Sequence, residues 1–227
     1  MFKIYKIIIL LFFVFFPLST NAHVQHYEDL NRIEFDIYRN DKLIGTHIFF
    51  FEKSGAQLHV KSEINFEIKK FGIVLYKYYV KGTEIYKDGE LIKFNSKTNQ
   101  NGKEKYVNIT LENGEYNIDG SSYQGKAPID YLLGTWWNHS IVKAKAQISA
   151  VSGRIIKQKV TFLKNEIVKI NDKSYKTLHF NFSSTVKKLS KGKRLNTDVW
   201  YDEKTLNWVK ASFKKKGKWE YRLISIE

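Results

Sequence analysis

The sequence predicts an all-β fold: a single antiparallel meander of about eleven to thirteen strands, curled into a barrel or half-barrel, with one short helical segment near 128–134. Three observations carry this. Alternating apolar and polar residues recur at roughly 8- to 12-residue spacing, as in strands with one wet and one buried face. Tight-turn dipeptides separate them at Asn40-Asp41, Asp88-Gly89, Asn101-Gly102, Asn113-Gly114 and Asn171-Asp172. The alternation lapses at Pro128-Ile129-Asp130-Tyr131-Leu132-Leu133-Gly134, where Pro near the start and Gly at the end frame one or two helical turns.

Residues 1–22 stand apart from this pattern. Lys3 and Lys6 precede an apolar run from Ile7 to Phe16, and Ser19-Thr20-Asn21-Ala22 offers small residues for cleavage. The segment reads as a secretory signal peptide, leaving 23–227 as a single β domain. Its apolar run is shorter than the ~20 residues a membrane span needs. Cysteine is absent, which removes disulfides, thiol chemistry and a lipid-attachment cysteine. Export without disulfides favours a bacterial periplasm, so the expected location is periplasmic or secreted after signal cleavage.

In the mature chain, Ile33, Phe35 and Ile37 alternate with Glu34, Asp36 and Tyr38, and beyond the Asn40-Asp41 turn Ile44, Thr46 and Ile48 return on one face. Leu58 to Ile68 alternates most cleanly, with Leu58, Val60, Ile64, Phe66 and Ile68 against His59, Lys61, Glu63, Asn65 and Glu67. Phe71-Gly72 leads into an aromatic strand, Val74 to Tyr86, followed by Leu91 to Thr98. A two-residue loop at Asn113-Gly114 pairs Leu111 with Tyr116 and Ile109 with Ile118. After the lapse and the pair Trp136-Trp137, strands are expected over Ile155 to Lys164, Glu166 to Ile170, Ser174 to Phe182 and Val186 to Leu189.

The C-terminal stretch from Asn196 to Glu227 reads as two hairpins. A two-residue turn at Glu203-Lys204 would place Tyr201 opposite Leu206 and Val199 opposite Trp208. A three-residue turn at Lys215-Lys216-Gly217, with Gly217 left-handed, would place Phe213 opposite Trp219. Together these registers put Trp200, Val209, Ala211, Phe213, Trp219, Tyr221 and Leu223 on the core face.

The formal net charge is +15, of which Lys3 and Lys6 leave with the signal. Strong basicity invites a nucleic-acid reading, but the lysines are spread over strand faces and turns, with one dense run at Lys214 to Lys218. An exported protein meets anionic lipid head groups instead. The expectation is therefore weak contact with an anionic membrane surface and no nucleic acid.

Several stretches together resemble a known family: Leu43-Ile44-Gly45-Thr46-His47, Gly82-Thr83-Glu84-Ile85-Tyr86 with Asp88-Gly89-Glu90-Leu91, Thr98-Asn99-Gln100-Asn101-Gly102, Trp136-Trp137-Asn138, Ser152-Gly153-Arg154-Ile155 and Asp198-Val199-Trp200-Tyr201-Asp202. In this order they span nearly the whole mature chain. The chain resembles a group of exported bacterial proteins classed as a domain of unknown function, whose expected curled β-sheet is akin to the periplasmic lipoprotein carriers. The resemblance implies a fold and a compartment; it carries over no catalytic residues.

Catalytic patterns are missing. The six histidines, at 23, 26, 47, 59, 139 and 179, make no metal-site spacing, although His23-x-x-His26 could hold a stray divalent ion. No Gly-x-Ser-x-Gly elbow or phosphate-binding glycine loop occurs, and Gly120-Ser121-Ser122 reads as a turn. Glu84, Asp130, Asp198 and Asp202 are scattered, and in a hydrolase or isomerase reading the candidates are His139 and nearby carboxylates. The favoured expectation is a non-enzymatic binding protein without metal or cofactor. Phe, Trp and Tyr make up 15% of the chain, enough to fill a core or to line a cavity. The expected ligand is a hydrophobic small molecule or lipid, gated by Tyr131, Leu132, Trp136 and Trp137, with one tryptophan facing inwards and the other at the rim. The alternative is a structural or interaction partner in the cell envelope.

Overall fold

The computed structural model describes residue 27, residues 29–186, residues 189 and 190, and residues 193–227. The predicted signal peptide, His23, His26 and residues 187 and 188 of the strand expected over 186–189 lie outside the described residues. Strands β1 (Arg32–Arg39), β2 (Lys42–Ser54), β3 (Gln57–Lys70), β4 (Ile73–Lys87), β5 (Glu90–Gln100), β6 (Lys103–Glu112), β7 (Glu115–Gly120) and β8 (Tyr123–Pro128) form the first half. The second half holds β9 (Leu132–Leu133), β10 (Ala146–Ile148), β11 (Ile155–Ile170), β12 (Lys173–Ser184), β13 (Asn196–Asp202), β14 (Trp208–Lys214) and β15 (Lys218–Ile226).

All fifteen belong to one sheet, whose order runs from β8 down to β1, then from β15 down to β9. Every neighbouring pair is antiparallel except β9 with β10. The first and last strands therefore meet in the middle of the sheet. Its two edges, β8 and β9, are consecutive in the chain and joined by residues 129–131 alone. The meander curls until its edges approach, and the sheet remains open where no ladder joins β8 to β9.

The sequence undercounts strands at this seam. β8, β9 and β10 are short and lack alternation, while the stretches expected over 155–164 and 166–170 fuse into β11, whose register shifts between Phe162 and Lys164. The segment 128–134 is no helix. Leu132 and Leu133 pair in parallel with Gln147 and Ile148, and Gly134 serves close packing: a Cβ there would lie 2.5 Å from Gln147 Oε1. The helical turn comes later, as a 3-10 helix at His139–Lys143 whose Ser140 N–H donates to the Asn138 side chain.

Most turns follow their residues. Arg39 pairs with Lys42 across Asn40 and Asp41, whose φ values of 49° and 59° suit the twist of a hairpin. Leu111 pairs with Tyr116 and Ile109 with Ile118, as expected. Phe213 pairs with Trp219 and Gly217 has a positive φ (125°), as expected, with Lys216 also positive beside it (φ 49°).

The β13–β14 hairpin departs from expectation. Asp202 Oδ1 accepts from the backbone N–H groups of Lys204 and Thr205 and from the Thr205 hydroxyl, organising a longer loop in which Leu206 has φ 55°. A register shift beside Trp200 then pairs Tyr201 with Trp208 and Val199 with Ala211. The slip is odd, so it moves Trp200 to the face opposite Ala211. Trp200 stacks there on His179 with ring centroids 4.1 Å apart, and its indole N–H donates to Glu166 at 2.7 Å.

The remaining apolar side chains converge inside the curl. Phe35 of β1 packs on Trp208 of β14 at 3.9 Å, and Tyr201 and Val199 are fully buried. The loop between β10 and β11 crosses to the opposite half of the sheet: Ser152 carbonyl accepts from Ser122 N–H (2.8 Å), and Ala150 carbonyl from the Ser96 hydroxyl. Gly120 permits this crossing, because a Cβ there would lie 2.8 Å from Ser152 O.

Candidate functional site

Residues 134–138 run inside the sheet and separate two environments. Trp136 has a left-handed backbone (φ 62°), which breaks strand alternation and lets both tryptophan rings turn inwards. Trp137 is fully buried, edge-on to Tyr27 (5.0 Å), Phe51 (5.3 Å) and Tyr86 (5.5 Å). Trp136 is half-buried and edge-on to Trp208 at 5.7 Å. Trp137 thus lies wholly in the interior while Trp136 keeps partial exposure, each in its own surroundings.

On the Trp137 side lies a buried carboxylate. Glu84, on β4, has no exposed surface, and its oxygens accept from Tyr86 hydroxyl at 2.6 Å and from Trp137 indole N–H at 3.0 and 3.1 Å. Burial raises its pKa to about 7, with the Tyr86 and Trp137 hydrogen bonds limiting the rise. Tyr27 extends the group: its hydroxyl donates to Leu206 carbonyl and accepts from His139 N–H. Glu84, Tyr86, Trp137 and Tyr27 are all buried in this cluster.

On the Trp136 side lies a cavity of about 250 Å³. Its apolar wall comes from Ile64, Val80, Phe94, Ile156, Trp208 and Tyr221, on strands from both halves of the sheet, with Ala150 and Val151 of the crossing loop beside them. Three wall residues, His47, Trp136 and Trp208, carry buried nitrogens (Nδ1, Nε1 and Nε1) without a hydrogen-bond partner among the described residues. Burial pushes the His47 pKa down to about 3, so its imidazole is neutral at physiological pH. The arrangement can enclose an apolar body and leaves unpaired polar atoms in its wall.

Of the four residues expected to gate a ligand, Trp136 lines this cavity. Trp137 packs against Glu84, and Tyr131 lies half-buried against the core. Leu132 instead lines an outer groove of about 530 Å³ with Tyr86, Leu91 and Ile141. That groove is larger, yet exposed Lys87, Asp88 and Glu90 edge it, which makes it the poorer match to an apolar ligand. His47, Trp208 and Tyr221 were missed because they come together only across distant strands.

The carboxylates named from the sequence do not converge. Asp130 is exposed near Lys145, Asp202 caps its loop, and Asp198 lies beside His179. His179 nitrogens approach Glu166 at 2.8 Å and Asp198 at 3.4 Å, but neither contact has hydrogen-bond angles. His139 sits edge-on to Tyr201 at 4.8 Å and Phe180 at 6.0 Å. No group of three or more His, Cys, Asp or Glu among the described residues could hold a metal ion.

Fold and interior together define a barrel-like all-β domain: an open, curled sheet around an apolar interior. Residues 35–224 match the family described as a domain of unknown function (DUF6134), and the chain belongs to that family. The fold is similar to that of a solved structure, a β-barrel-like protein of the domain of unknown function DUF1849 from Brucella abortus. The TM-score is 0.61 at 11% identity, covering 87% of this chain and 97% of that one. No curated protein matches the chain.

Proposed function

We propose that this is a non-enzymatic exported binding protein that takes a hydrophobic or lipid-like ligand into the cavity beside Trp136. The observation that carries the reading is the cavity wall: apolar side chains from both halves of the sheet, with three unpartnered nitrogens among them. Leaving a buried donor unpaired costs about 1–3 kcal/mol, so a ligand oxygen accepting from Trp136 or Trp208 would recover part of that cost. A cavity of ~150 Å³ lined by apolar side chains admits benzene. At about 250 Å³ this one admits a longer body, such as a segment of one acyl chain, and excludes a whole diacyl lipid. The signal-like residues 1–22 support delivery to the periplasm, where such ligands are at hand.

The test is a titration of residues 23–227 with a long-chain fatty acid, followed by tryptophan fluorescence. The expected result is a saturable change near one equivalent that Val80→Phe, which fills the cavity, removes. An unchanged spectrum at all concentrations would contradict the reading.

A further inference from the structure

The β3–β4 hairpin extends beyond the rest of the sheet. β3 pairs with β2 only as far as Phe66, opposite Gly45, and β4 pairs with β5 only from Tyr78, opposite Gln100. Residues 67–77 therefore form a two-stranded tongue, through Glu67 with Lys77, Ile68 with Tyr76, Lys69 with Val74 and Lys70 with Ile73, tied at its base where Lys77 exchanges hydrogen bonds with Asn101. Its tip is apolar and uncovered: Phe71 is 91% exposed, Ile73 66% and Leu75 55%.

Neither folding nor solubility accounts for this tip. In the hairpins closed at Asn40, Asp88, Asn101, Asn113 and Asn171, the first left-handed residue is Asn or Asp, the types that tolerate that backbone. At the tongue the same position is Phe71, with φ 52°. An aromatic residue thus holds a strained conformation while almost wholly in water. The surroundings are basic. Lys69, Lys70 and Lys77 flank the tip, and Lys70 Nζ lies 5.4 Å from the Phe71 ring centroid. Because turns alternate between the two ends of a meander, the β1–β2 and β14–β15 turns share the tongue's end. Asn40 and Lys218 bond to each other there, bringing in the lysine run 214–218.

We propose that the tongue is a membrane-docking element, inserting Phe71, Ile73 and Leu75 among the acyl chains of an anionic bilayer while the surrounding lysines meet its head groups. Apolar side chains ringed by Lys are the pattern of interfacial anchoring, and neither contribution alone holds a protein firmly. The proposal stands whether or not the cavity takes a ligand.

Flotation of residues 23–227, which contain the whole described fold, with vesicles of phosphatidylcholine alone or mixed with phosphatidylglycerol tests it. The wild type is expected to float with the mixed vesicles, less so at high salt, and to stay down with phosphatidylcholine alone. Phe71→Asn combined with Ile73→Ser and Leu75→Ser is expected to weaken binding roughly a hundredfold. Phe71→Asn alone should raise the melting temperature, which separates lost docking from lost folding. Val80→Phe should float like the wild type, separating this proposal from the ligand reading. Wild type that fails to float, or a triple variant that floats equally well, would overturn it. So would a dimer seen by light scattering that becomes monomeric in the triple variant while vesicle binding stays absent, because the tip would then seat a second copy.

Discussion

Both carboxylate oxygens of Glu84 accept the single indole N–H of Trp137, at 3.0 and 3.1 Å, across 53 positions of sequence. This contact anchors the 134–138 segment, and so the wall carrying Trp136, to strand β4. Trp137→Phe keeps most of the ring volume but removes the donor. It is expected to lower unfolding free energy by about 2–3 kcal/mol in denaturant titrations. It should also raise the Glu84 pKa further, since a hydrogen bond that favours the charged form is gone.

Glu84 gives the fold a pH dependence of defined sign. Its folded pKa, about 7, lies above the ordinary 4.5. Below pH 4.5 the group is protonated in both states and costs nothing. As pH rises towards 7 the unfolded chain ionises first, so stability falls, and above 7 the loss is complete. The difference amounts to about 3 kcal/mol. Glu84→Gln is expected to remove this slope: wild type minus variant should decline between pH 4.5 and 7 and be flat beyond. A constant difference across that window would contradict the assignment.

Asp202 sets the β13–β14 register through its three contacts to Lys204 and Thr205. Asp202→Ala is expected to cost about 1–2 kcal/mol in thermal or chemical unfolding, with amide exchange accelerated first in residues 203–207.

Phe71→Asn should act in the opposite direction. Relief of the left-handed backbone at an exposed position predicts a gain of about 0.5–1 kcal/mol, readable as a higher melting temperature.

Legibility from the sequence followed the range of the interactions. Hairpins at Asn40-Asp41 and Asn113-Gly114 were readable because the residues demanding the turn lie in it, and pairs such as Ile109 with Ile118 follow by counting. The β13–β14 hairpin was not, because one aspartate side chain and a bulge lengthened the loop by an odd step. Pro128 and Gly134 mimicked helix ends, whereas Gly134 answers to the Gln147 side chain. Trp136 was expected as one of four gating residues and lines the cavity, but the other wall residues His47, Val80, Trp208 and Tyr221 lie on β2, β4, β14 and β15. No local pattern reports that meeting, which depends on the first and last strands pairing.

The proposed ligand site is tested most directly by native mass spectrometry of the protein purified from its host without detergent. The account predicts, beside the bare chain, a species heavier by one hydrophobic molecule. That species should vanish in Val80→Phe and diminish in Trp136→Ala. A wild-type spectrum showing the bare chain alone, unchanged after incubation with fatty acid, would contradict it.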